Sequence, residues 1–435
     1  MSVTPGMQCD VAVVGGGPAG IAAATRAAEQ GARVVIIDSG LRPGGQIWRH
    51  HSPAALLPDA RHWLSRLERT NARWLLRATV VDGDIARGLT VVTHAGTTRV
   101  AAPRIILATG ARELFLPFPG WTIPNVMGIG GAQAMLKAGL DVRGKRVIIA
   151  GSGPLLLPVA AAMAKGGARL ITVAEQASAR QLAGFAASLW SQPGKLFLAA
   201  RYRAAFSIRA HRTSTWVERA EGDVRLERVI LRSGDRRWVE RCDLLCSSYG
   251  LVPSTELARL FGCEIGSGRV MVDELQRTNV SGVFAAGEST GVAGDAASIA
   301  EGEIAGVAAA SPGPVSISSD LRRRQLQGRR FADRLFVTFR PRAEVRALAD
   351  ADTVICRCED VRLRQLEPSW TGRQAKLYTR AGMGPCQGAV CGPALEQMFG
   401  WGQGSVRPPL FAPVLGAWMS ETITPETAES RSSAE

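Results

Sequence analysis

The amino-acid sequence predicts an α/β fold with two doubly wound, Rossmann-like dinucleotide-binding units and a small cysteine-bearing domain at the C-terminal end. Three observations support this fold class. A βαβ pattern around a glycine-rich turn opens the chain, the same pattern returns in its middle, and two pairs of cysteines stand near its end. With 435 residues, the chain is long enough for two or three domains with sizeable cores.

The first βαβ pattern lies in the segment CDVAVVGGGPAGIAAATRAAEQGARVVIID. The apolar residues 11–14 predict a buried parallel strand, residues 19–30 predict a helix, and residues 34–37 predict a second parallel strand. This order of elements is typical of the beginning of a doubly wound sheet.

A dinucleotide site is predicted at the turn between this strand and helix. The pattern G-x-G-x-x-G is followed by an acid at the end of the next strand, and the residues concerned are Gly15, Gly17, Pro18, Ala19, Gly20, Asp38 and Ser39. The first glycine permits a sharp turn, the second lets the backbone approach a pyrophosphate, and the third allows close packing of helix on strand. The helix N-terminus supplies free N–H groups, and Asp38 is placed to accept hydrogen bonds from a ribose.

Three further segments narrow the prediction to a flavin. They are RPGGQIWRH after the first acid, ATG at the end of a buried strand, and GVFAAGE late in the chain. With the opening motif, they make roughly the first 310 residues resemble the flavoproteins with two dinucleotide-binding domains, the class of thioredoxin reductase. The resemblance implies FAD, with Gly44, Gly45 and Gln46 at the flavin ring, Ala108, Thr109 and Gly110 sealing the cofactor, and Gly287 and Glu288 at the ribityl chain and pyrophosphate.

Single residues of this set also have ordinary explanations. The Gly-Gly-Gln turn fits a flexible loop, and Glu288, which replaces the commoner aspartate, fits a solvated acid at a helix start. Arg112 fits either a surface arginine or a counter-charge to reduced flavin. Order and spacing along the chain favour the flavin site.

The second βαβ pattern, KRVIIAGSGPLLLPVAAAMAKGGARLITVAE, carries a damaged motif. In the flavoproteins that the chain resembles, this unit is inserted in the first and binds NAD(P)H. Here Leu156 replaces the third small residue and Pro158 follows it, so we expect poor packing of helix on strand. Glu175 still ends the second strand as a ribose acceptor. A scaffold or a weak adenine-nucleotide site is therefore favoured over a working NADH site.

The disulfide-reductase chemistry of the thioredoxin reductase class is not expected. No C-x-x-C motif lies in the second unit, and Cys242 with Cys246 has the wrong spacing.

Four cysteines form two pairs in the C-terminal part of the chain: Cys356, Cys358, Cys386 and Cys391. Four thiolates suit zinc or a [2Fe-2S] cluster. The pairs and the glycine-rich GMGPCQG resemble the bacterioferritin-associated-ferredoxin-like [2Fe-2S] domain, which implies a cluster held by all four. Cys391 departs from the C-x2-C spacing of the small ferredoxins. Structural zinc and buried, unligated thiols stay open as alternatives.

An FAD domain joined to such a module resembles, over nearly the full chain, the α subunit of hetero-oligomeric amine dehydrogenases, a family that includes octopine, nopaline and D-hydroxyproline dehydrogenases and hydrogen cyanide synthase. The resemblance implies a β subunit similar to D-amino-acid oxidase, whose flavin oxidises a C–N bond, and leaves room for a small additional subunit. This chain is then expected to relay electrons, because a hydride delivers two electrons whereas a cluster takes one at a time. The choice of amine belongs to the partner, and the sequence names no electron acceptor.

Two other functions stay open from the residues alone. One is a stand-alone NADH-dependent flavin reductase that passes electrons through [2Fe-2S] to a protein acceptor. The other is a non-catalytic scaffold with zinc. No set of catalytic acids and bases is recognised, so no catalytic residue is named.

The predicted domains follow from these motifs. They are a discontinuous FAD-binding domain at 1–122 and 240–312, an inserted NAD-type domain at 123–239, a basic linker at 313–347, a [2Fe-2S] domain at 348–420 and a flexible tail at 421–435. Within the linker, DLRRRQLQGRRFADRLF is expected to form a helix with Leu321, Phe331 and Leu335 on its apolar face, docked on a partner or on the body of this chain.

The formal net charge of +14 does not by itself indicate nucleic acid. The chain has no recognised nucleic-acid module and no basic stripe interleaved with aromatic residues, so we expect no nucleic-acid partner. It also has no run of about 18 apolar residues and no secretory leader. We expect a cytoplasmic protein whose membrane contact is at most peripheral.

Overall fold

The computed structural model describes residues 6–50, 56–190, 192–402 and 406–411. By packing, these residues form two units. The first comprises residues 6–50, 56–112, 253–332 and 406–411, and the second comprises the remaining described residues. The predicted tail at 421–435, and the part of the predicted cluster domain beyond 411, lie outside the described residues. The functional domain boundaries given above stay predictions, because the two units are defined by packing alone.

The first unit contains two sheets, a short hairpin and five helices. Its strands are β1 (Met7–Gln8), β2 (Val11–Val14), β3 (Val34–Ile37), β4 (Arg73–Leu75), β5 (Thr79–Asp84), β6 (Gly88–Thr93), β7 (Gly96–Ala101), β8 (Arg104–Leu107), β19 (Ile265–Gly266), β20 (Arg269–Val270) and β21 (Val283–Ala285). Its helices are α1 (Pro18–Glu29), α2 (Pro58–Leu67), α7 (Glu256–Leu260), α8 (Asp295–Ala310) and α9 (Ser319–Thr338), of which α9 continues into the second unit. Two short strands, β9 (Ala111–Glu113) and β18 (Leu251–Pro253), lie where the chain passes between the units.

The central sheet of the first unit has the order β21-β8-β2-β3-β4, and all of its strands are parallel. Strands β2 and β3 are buried throughout, as expected for a parallel sheet covered on both faces. The α/β class and the opening βαβ pattern are therefore confirmed. A second sheet, β1-β7-β6-β5, includes the hairpin of β5 and β6 that the sequence indicates.

Helices α1 and α8 pack closely in the core of this unit. Gly302 and Gly306 make the approach possible, because a Cβ on either residue would overlap the carbonyl oxygen of Ala19 or Ala23 in α1. The contact fixes α1, whose N-terminus faces the predicted dinucleotide site.

The second unit contains a parallel sheet, a meander, a two-stranded ribbon and seven complete helices. Its strands are β10 (Val126–Gly128), β11 (Arg146–Gly151), β12 (Arg169–Glu175), β13 (His211–Arg212), β14 (Trp216–Glu221), β15 (Arg228–Ser233), β16 (Arg236–Arg241), β17 (Leu244–Ser248), β22 (Val354–Cys356) and β23 (Val361–Arg362). Its helices are α3 (Ile129–Lys137), α4 (Leu156–Lys165), α5 (Ala179–Ser188), α6 (Pro193–Ala204), α10 (Ala343–Arg346), α11 (Gly372–Thr379) and α12 (Cys391–Phe399), of which α10 is a single turn.

The parallel sheet of this unit has the order β10-β17-β11-β12-β13, and β14, β15 and β16 form the antiparallel meander. The predicted internal duplication is therefore visible as two five-stranded parallel sheets, one in each unit. The cysteine segment packs within the second unit, where the Trp121 indole Nε1 donates to the carbonyl oxygen of Val354 at 2.6 Å.

The arginine-rich segment is helical where the sequence indicates it. In α9, Leu321 and Phe331 are buried and Leu335 is half-buried, so these residues face the protein. No helix among the described residues is long and apolar enough to cross a bilayer.

Candidate functional site

Four parallel strands of the first unit deliver the predicted flavin-site residues to one edge of the sheet. Gly15 follows β2, Asp38 follows β3, Ala108 follows β8 and Gly287 follows β21 after one residue. Because the carboxyl ends of parallel strands lie at the same edge, segments far apart in the sequence meet there.

The glycine-rich turn is closed toward the protein and open on its outer side. A Cβ on Gly15 would overlap the carbonyl oxygen of Ala108, and one on Gly20 would overlap that of Gly15. A Cβ on Gly17, by contrast, would meet no described atom within 4 Å. Helix α1 begins immediately afterwards at Pro18, so its free N–H groups are close to this open space.

Asp38 is held by the backbone of the same turn. Its Oδ2 accepts a hydrogen bond from the Gly16 amide at 2.5 Å, and its Oδ1 accepts one from the Gly40 amide at 2.7 Å. The carboxylate is half-buried and Ser39 is exposed, so both can be reached from outside the protein. This arrangement suits a ribose acceptor.

The Gly-Gly-Gln turn lies against the glycine-rich turn. The Gly44 amide donates to the carbonyl oxygen of Gly16 at 2.8 Å, and a Cβ on Gly45 would lie 2.9 Å from the Cα of Gly17. Gln46 is exposed, whereas Trp48, two residues further along the chain, is buried. The buried Trp48 indole N–H has no hydrogen-bond partner among the described residues.

The Ala108–Gly110 turn and Arg112 are fixed by neighbouring loops of the first unit. The Thr109 hydroxyl donates to the carbonyl oxygen of Ser254 at 2.7 Å. Arg112 Nη2 lies 2.5 Å from Glu256 Oε1. Arg112 is therefore neutralised by a carboxylate, which neither of the two sequence interpretations anticipated.

Gly287 depends on a buried acid that the motifs did not indicate. Glu301 Oε2 accepts hydrogen bonds from the Gly287 amide at 2.9 Å and the Thr290 hydroxyl at 2.7 Å, and burial raises the pKa of Glu301. The signal in the sequence is a pair of acids, Glu301 and Glu303, inside the mostly apolar helix α8. Glu288 is half-buried; burial first, and then the nearby Asp295 carboxylate, raise its pKa to about 7.

The corresponding motif in the second unit is built differently. Helix α4 begins only at Leu156, whereas α1 begins directly after the second glycine of its own motif. The late start moves Leu156 into the core, where it is 2% exposed. The expected conflict between Leu156 and the strand is thus relieved by loss of the first helical turn. Pro158 occupies the new first turn, where no amide is needed.

Glu175, the predicted ribose acceptor, is already satisfied by its own turn. Its carboxylate accepts hydrogen bonds from the Gly153 amide at 2.7 Å and the Ala177 amide at 2.8 Å, and the Ser152 hydroxyl oxygen lies 3.1 Å from it. The side chain is only 3% exposed, and burial raises its pKa to about 7.

A segment that follows α9 crosses this turn, and we call residues Phe339–Arg342 the strap. Ser152 Oγ donates to the carbonyl oxygen of Phe339 at 3.1 Å, and Gln176 Nε2 donates to that of Arg340 at 3.1 Å. A Cβ on Gly153 would lie 3.9 Å from Cγ of Phe339. No sequence motif indicated this contact, because the residues involved are far apart in the chain.

The four C-terminal cysteines meet in two pairs in the second unit. The side chains of Cys356 and Cys391 are close enough to shift each other's pKa, and the neighbouring Cys386 likewise affects the pKa of Cys358. Cys356 and Cys391 are buried, Cys386 is half-buried and Cys358 is exposed. The spacing of Cys391 therefore does not keep it away from the other three.

The surroundings of the buried pair favour a thiolate. The Gly382 amide donates to Cys356 Sγ at 3.4 Å. The Cys391 thiol and this amide lower the pKa of Cys356 to about 6 against the opposing effect of burial, while the pKa of Cys391 is raised. Within the described residues, no three His, Cys, Asp or Glu side chains are arranged as a ready metal-ion site.

Comparison with known proteins assigns the chain to a family. The pyridine nucleotide-disulphide oxidoreductase family matches residues 9–311. The chain belongs to this family. As a member of it, the chain is an FAD-dependent oxidoreductase.

Two relatives extend the match beyond the family region. The opine oxidase A chain of Agrobacterium tumefaciens (strain Ach5), which is named as a subunit, is 32% identical over 436 residues, covering 89% of this chain and 85% of the relative. Hydrogen cyanide synthase subunit HcnB of Pseudomonas aeruginosa is 32% identical, covering 87% of this chain and 90% of the relative. The predicted resemblance to this group of subunits is confirmed.

Among solved structures, L-proline dehydrogenase from P. horikoshii matches with a TM-score of 0.65 and 20% identity, covering 95% of this chain and 80% of the other. This likeness supports the fold.

The disulphide chemistry in the family name has no counterpart at Cys242 and Cys246. Both thiols are free and fully buried, and burial raises the pKa of each to about 12. A thiol held neutral in this way is a poor nucleophile.

Proposed function

We propose that the chain is the electron-transferring α subunit of a hetero-oligomeric dehydrogenase that oxidises the C–N bond of an amino acid or secondary amine, of the opine or hydroxyproline kind. FAD binds in the first unit and a [2Fe-2S] cluster binds to the four C-terminal cysteines. The amine is bound and oxidised by a partner flavoprotein subunit similar to D-amino-acid oxidase. The assembly also has room for a small additional subunit.

The observation that carries the FAD assignment is the open glycine-rich turn at the edge of the first parallel sheet. Gly17 and the N-terminus of α1 suit a pyrophosphate, and Asp38 suits the adenosine ribose. Gly45 lies against Gly17 of this turn and Gln46 is exposed beside it, and Gly287 with Glu288 follows β21 at the same edge of the sheet. FAD supplies hydride and single-electron chemistry when bound.

The donor set of the cysteine segment fits a [2Fe-2S] cluster. Four thiols in two pairs match the all-cysteine ligation of such clusters, and the Gly382 amide that donates to Cys356 is the kind of contact that tunes a cluster potential. Cys391 joins Cys356 in the buried pair, which supports its role as the fourth ligand.

The subunit role is supported by what the relatives are called. The opine oxidase relative and hydrogen cyanide synthase subunit HcnB are both named as subunits, and this chain covers most of each. A stand-alone NADH reductase receives no such support, because the acid that should hold the NADH ribose is buried and fully engaged.

The proposal is tested by purifying the chain without oxygen and measuring flavin, iron, acid-labile sulfide and zinc. We expect one flavin per chain and iron with sulfide in equal amounts. Cys358→Ser and Cys391→Ser should each lose the visible cluster spectrum and keep the flavin, whereas the control Cys246→Ser should keep both. Zinc in place of iron, or a full cluster in Cys391→Ser, would contradict the ligand assignment.

The amine specificity is tested with the β subunit present. Coexpression with a D-amino-acid-oxidase-like subunit should yield a complex that reduces a dye acceptor with an opine or hydroxyproline. Rapid bleaching of the flavin by NADH in the isolated chain would instead favour the reductase function.

A further inference from the structure

We propose that the crevice of the second dinucleotide-binding fold is a docking site for the chain's own strap, Phe339–Arg342, and that this intramolecular ligand excludes a dinucleotide. The inference concerns a binding site that takes a peptide backbone where related folds take NAD(P)H. It does not depend on which amine or acceptor the assembly uses.

The strap lies where a pyrophosphate would have to approach. In a dinucleotide site, the second glycine of the motif is bare so that the phosphates can come close to the backbone. Gly17 in the first unit meets this condition, since a Cβ there would find no described atom within 4 Å. At the equivalent Gly153, Cγ of Phe339 would lie 3.9 Å from such a Cβ, at van der Waals distance. An aromatic side chain therefore borders the phosphate-binding space of the second motif.

The polar groups of the crevice are engaged by the main chain of the strap. Ser152 Oγ donates to the carbonyl oxygen of Phe339, and Gln176 Nε2 donates to that of Arg340. Gln176 Oε1 accepts a hydrogen bond from the Arg342 amide at 3.1 Å. Gln176 thus binds the strap through both ends of its amide, in the manner of a peptide-binding side chain.

Aromatic contacts anchor both ends of the strap. The Phe339 ring is 8% exposed and meets the Phe185 ring edge-on, with 5.0 Å between the ring centroids. The Arg342 guanidinium lies over the Trp216 ring, 5.5 Å from its centroid. Burial of Phe339 and the contact of a cation with an aromatic face both stabilise the docked strap.

Docking of the strap also positions the cysteine segment. The strap leads directly into α10, where Val345 is 1% exposed, and then into β22 with Cys356. Asp350 lies between α10 and β22 and forms a salt bridge with Arg219 of β14 at 3.0 Å. A nucleotide in the crevice would have to displace Phe339 and so release the N-terminal end of the cysteine segment. The docked strap therefore both excludes NADH and holds the cysteine segment in place.

Hydrogen exchange on the full-length chain tests the docking. Phe339→Ala should raise amide exchange at least tenfold in residues 151–156 and 338–345, without raising it in residues 11–14. The matched control is Phe336→Ala, which removes an equal ring that is 64% exposed in the preceding helix α9, and it should change neither segment. Equal exchange in the two variants would overturn the proposal.

A second variant covers the case in which Phe339→Ala destabilises the whole chain. Gln176→Ala removes two hydrogen bonds to the strap and no buried ring, so the same two segments should exchange faster. Unchanged exchange in Gln176→Ala would then overturn the proposal.

Titration with NADH tests the exclusion itself. Ordinary KM values extend up to about 1 mM. Up to this concentration, NADH should neither give a saturable binding signal nor protect residues 151–156 from hydrogen exchange. Saturable binding with protection of that segment in the unaltered chain would overturn the exclusion. Flavin and metal contents are separate measurements, so this result and the fate of the proposed function can be told apart.

Discussion

The two dinucleotide-binding units share a sheet topology and a glycine motif. The crevice beside the motif is open in the first unit and closed in the second. After Gly17 the first crevice is open, and Asp38 is reachable beside it. Beside Gly153 the second crevice is bordered by Phe339, and Glu175 is buried in its own turn. The first two glycines are common to both motifs and therefore do not decide between these states. What decides is where the helix begins and what the rest of the chain places against the second glycine.

The largest effect is expected from copying the second motif into the first. In Gly20→Leu, a side chain would collide with the Gly15 carbonyl, and α1 could escape only by starting later, as α4 does beside Leu156. The N–H groups that suit the pyrophosphate would move away, so we expect bound flavin to fall at least tenfold. The flavin-to-protein ratio after gel filtration measures this.

The matched control for that variant is Gly131→Ala. Gly131 is also helical, and a Cβ there would meet no described atom within 4 Å. Flavin content should not change. Normal flavin binding in Gly20→Leu would mean that the helix start does not separate the two units.

The converse substitution should damage the second unit without creating a nucleotide site. Leu156 is buried in the core, so Leu156→Ala should lower the free energy of unfolding by about 2–5 kcal/mol. NADH should still not bind, because Phe339 and Glu175 are unchanged. Leu198→Ala, at a leucine that is 40% exposed, is the control and should change stability by less than about 0.5 kcal/mol. Gain of NADH binding in Leu156→Ala would show that the leucine alone closes the site.

The first crevice could be predicted from the sequence because the residues that form it are close together in the chain. Gly15, Gly17, Gly20 and Asp38 belong to one βαβ pattern, and their spacing reports their geometry directly. The parallel sheets, the hairpin and the helix of the arginine-rich segment were predictable for the same reason, since each depends on short-range periodicity.

The second crevice could not be predicted in this way. Its state depends on Gln176 meeting the strap, in which Arg340 lies 164 residues further along the chain. The role of Glu301 could not be predicted for a related reason. An acid within a mostly apolar helix can be interpreted only when its partner, the Gly287 amide, is known. The damaged motif predicted that the second unit lacks a working NADH site. It did not predict that the strap lies beside that motif.

The next comparison uses pH. The pKa of Glu175 rises from 4.5 to about 7 in the folded chain, so its contribution to stability is complete below pH 4.5 and is lost as pH rises to 7. The change is on the order of 3 kcal/mol. Glu175→Gln removes this titration, so the free energy of unfolding should depend less steeply on pH between 4.5 and 7 than in the unaltered chain. Urea unfolding across this range measures the difference, and parallel curves would contradict it.

The smallest effect is expected at Asp38, the open counterpart of Glu175. Asp38→Asn keeps the size of the side chain but weakens its acceptors for the Gly16 and Gly40 amides and for a ribose. Asn keeps a neutral acceptor oxygen, so the loss is the difference between a charged and a neutral hydrogen bond, about 1 kcal/mol, and the affinity for FAD should fall roughly fivefold. Fluorescence of released flavin measures the affinity, with Asp141→Asn as a control on an exposed carboxylate that pairs with Arg143. If Asp38→Asn binds FAD as tightly as the unaltered chain, the acid serves the turn alone, and the contrast with Glu175 then lies in burial and not in ribose binding.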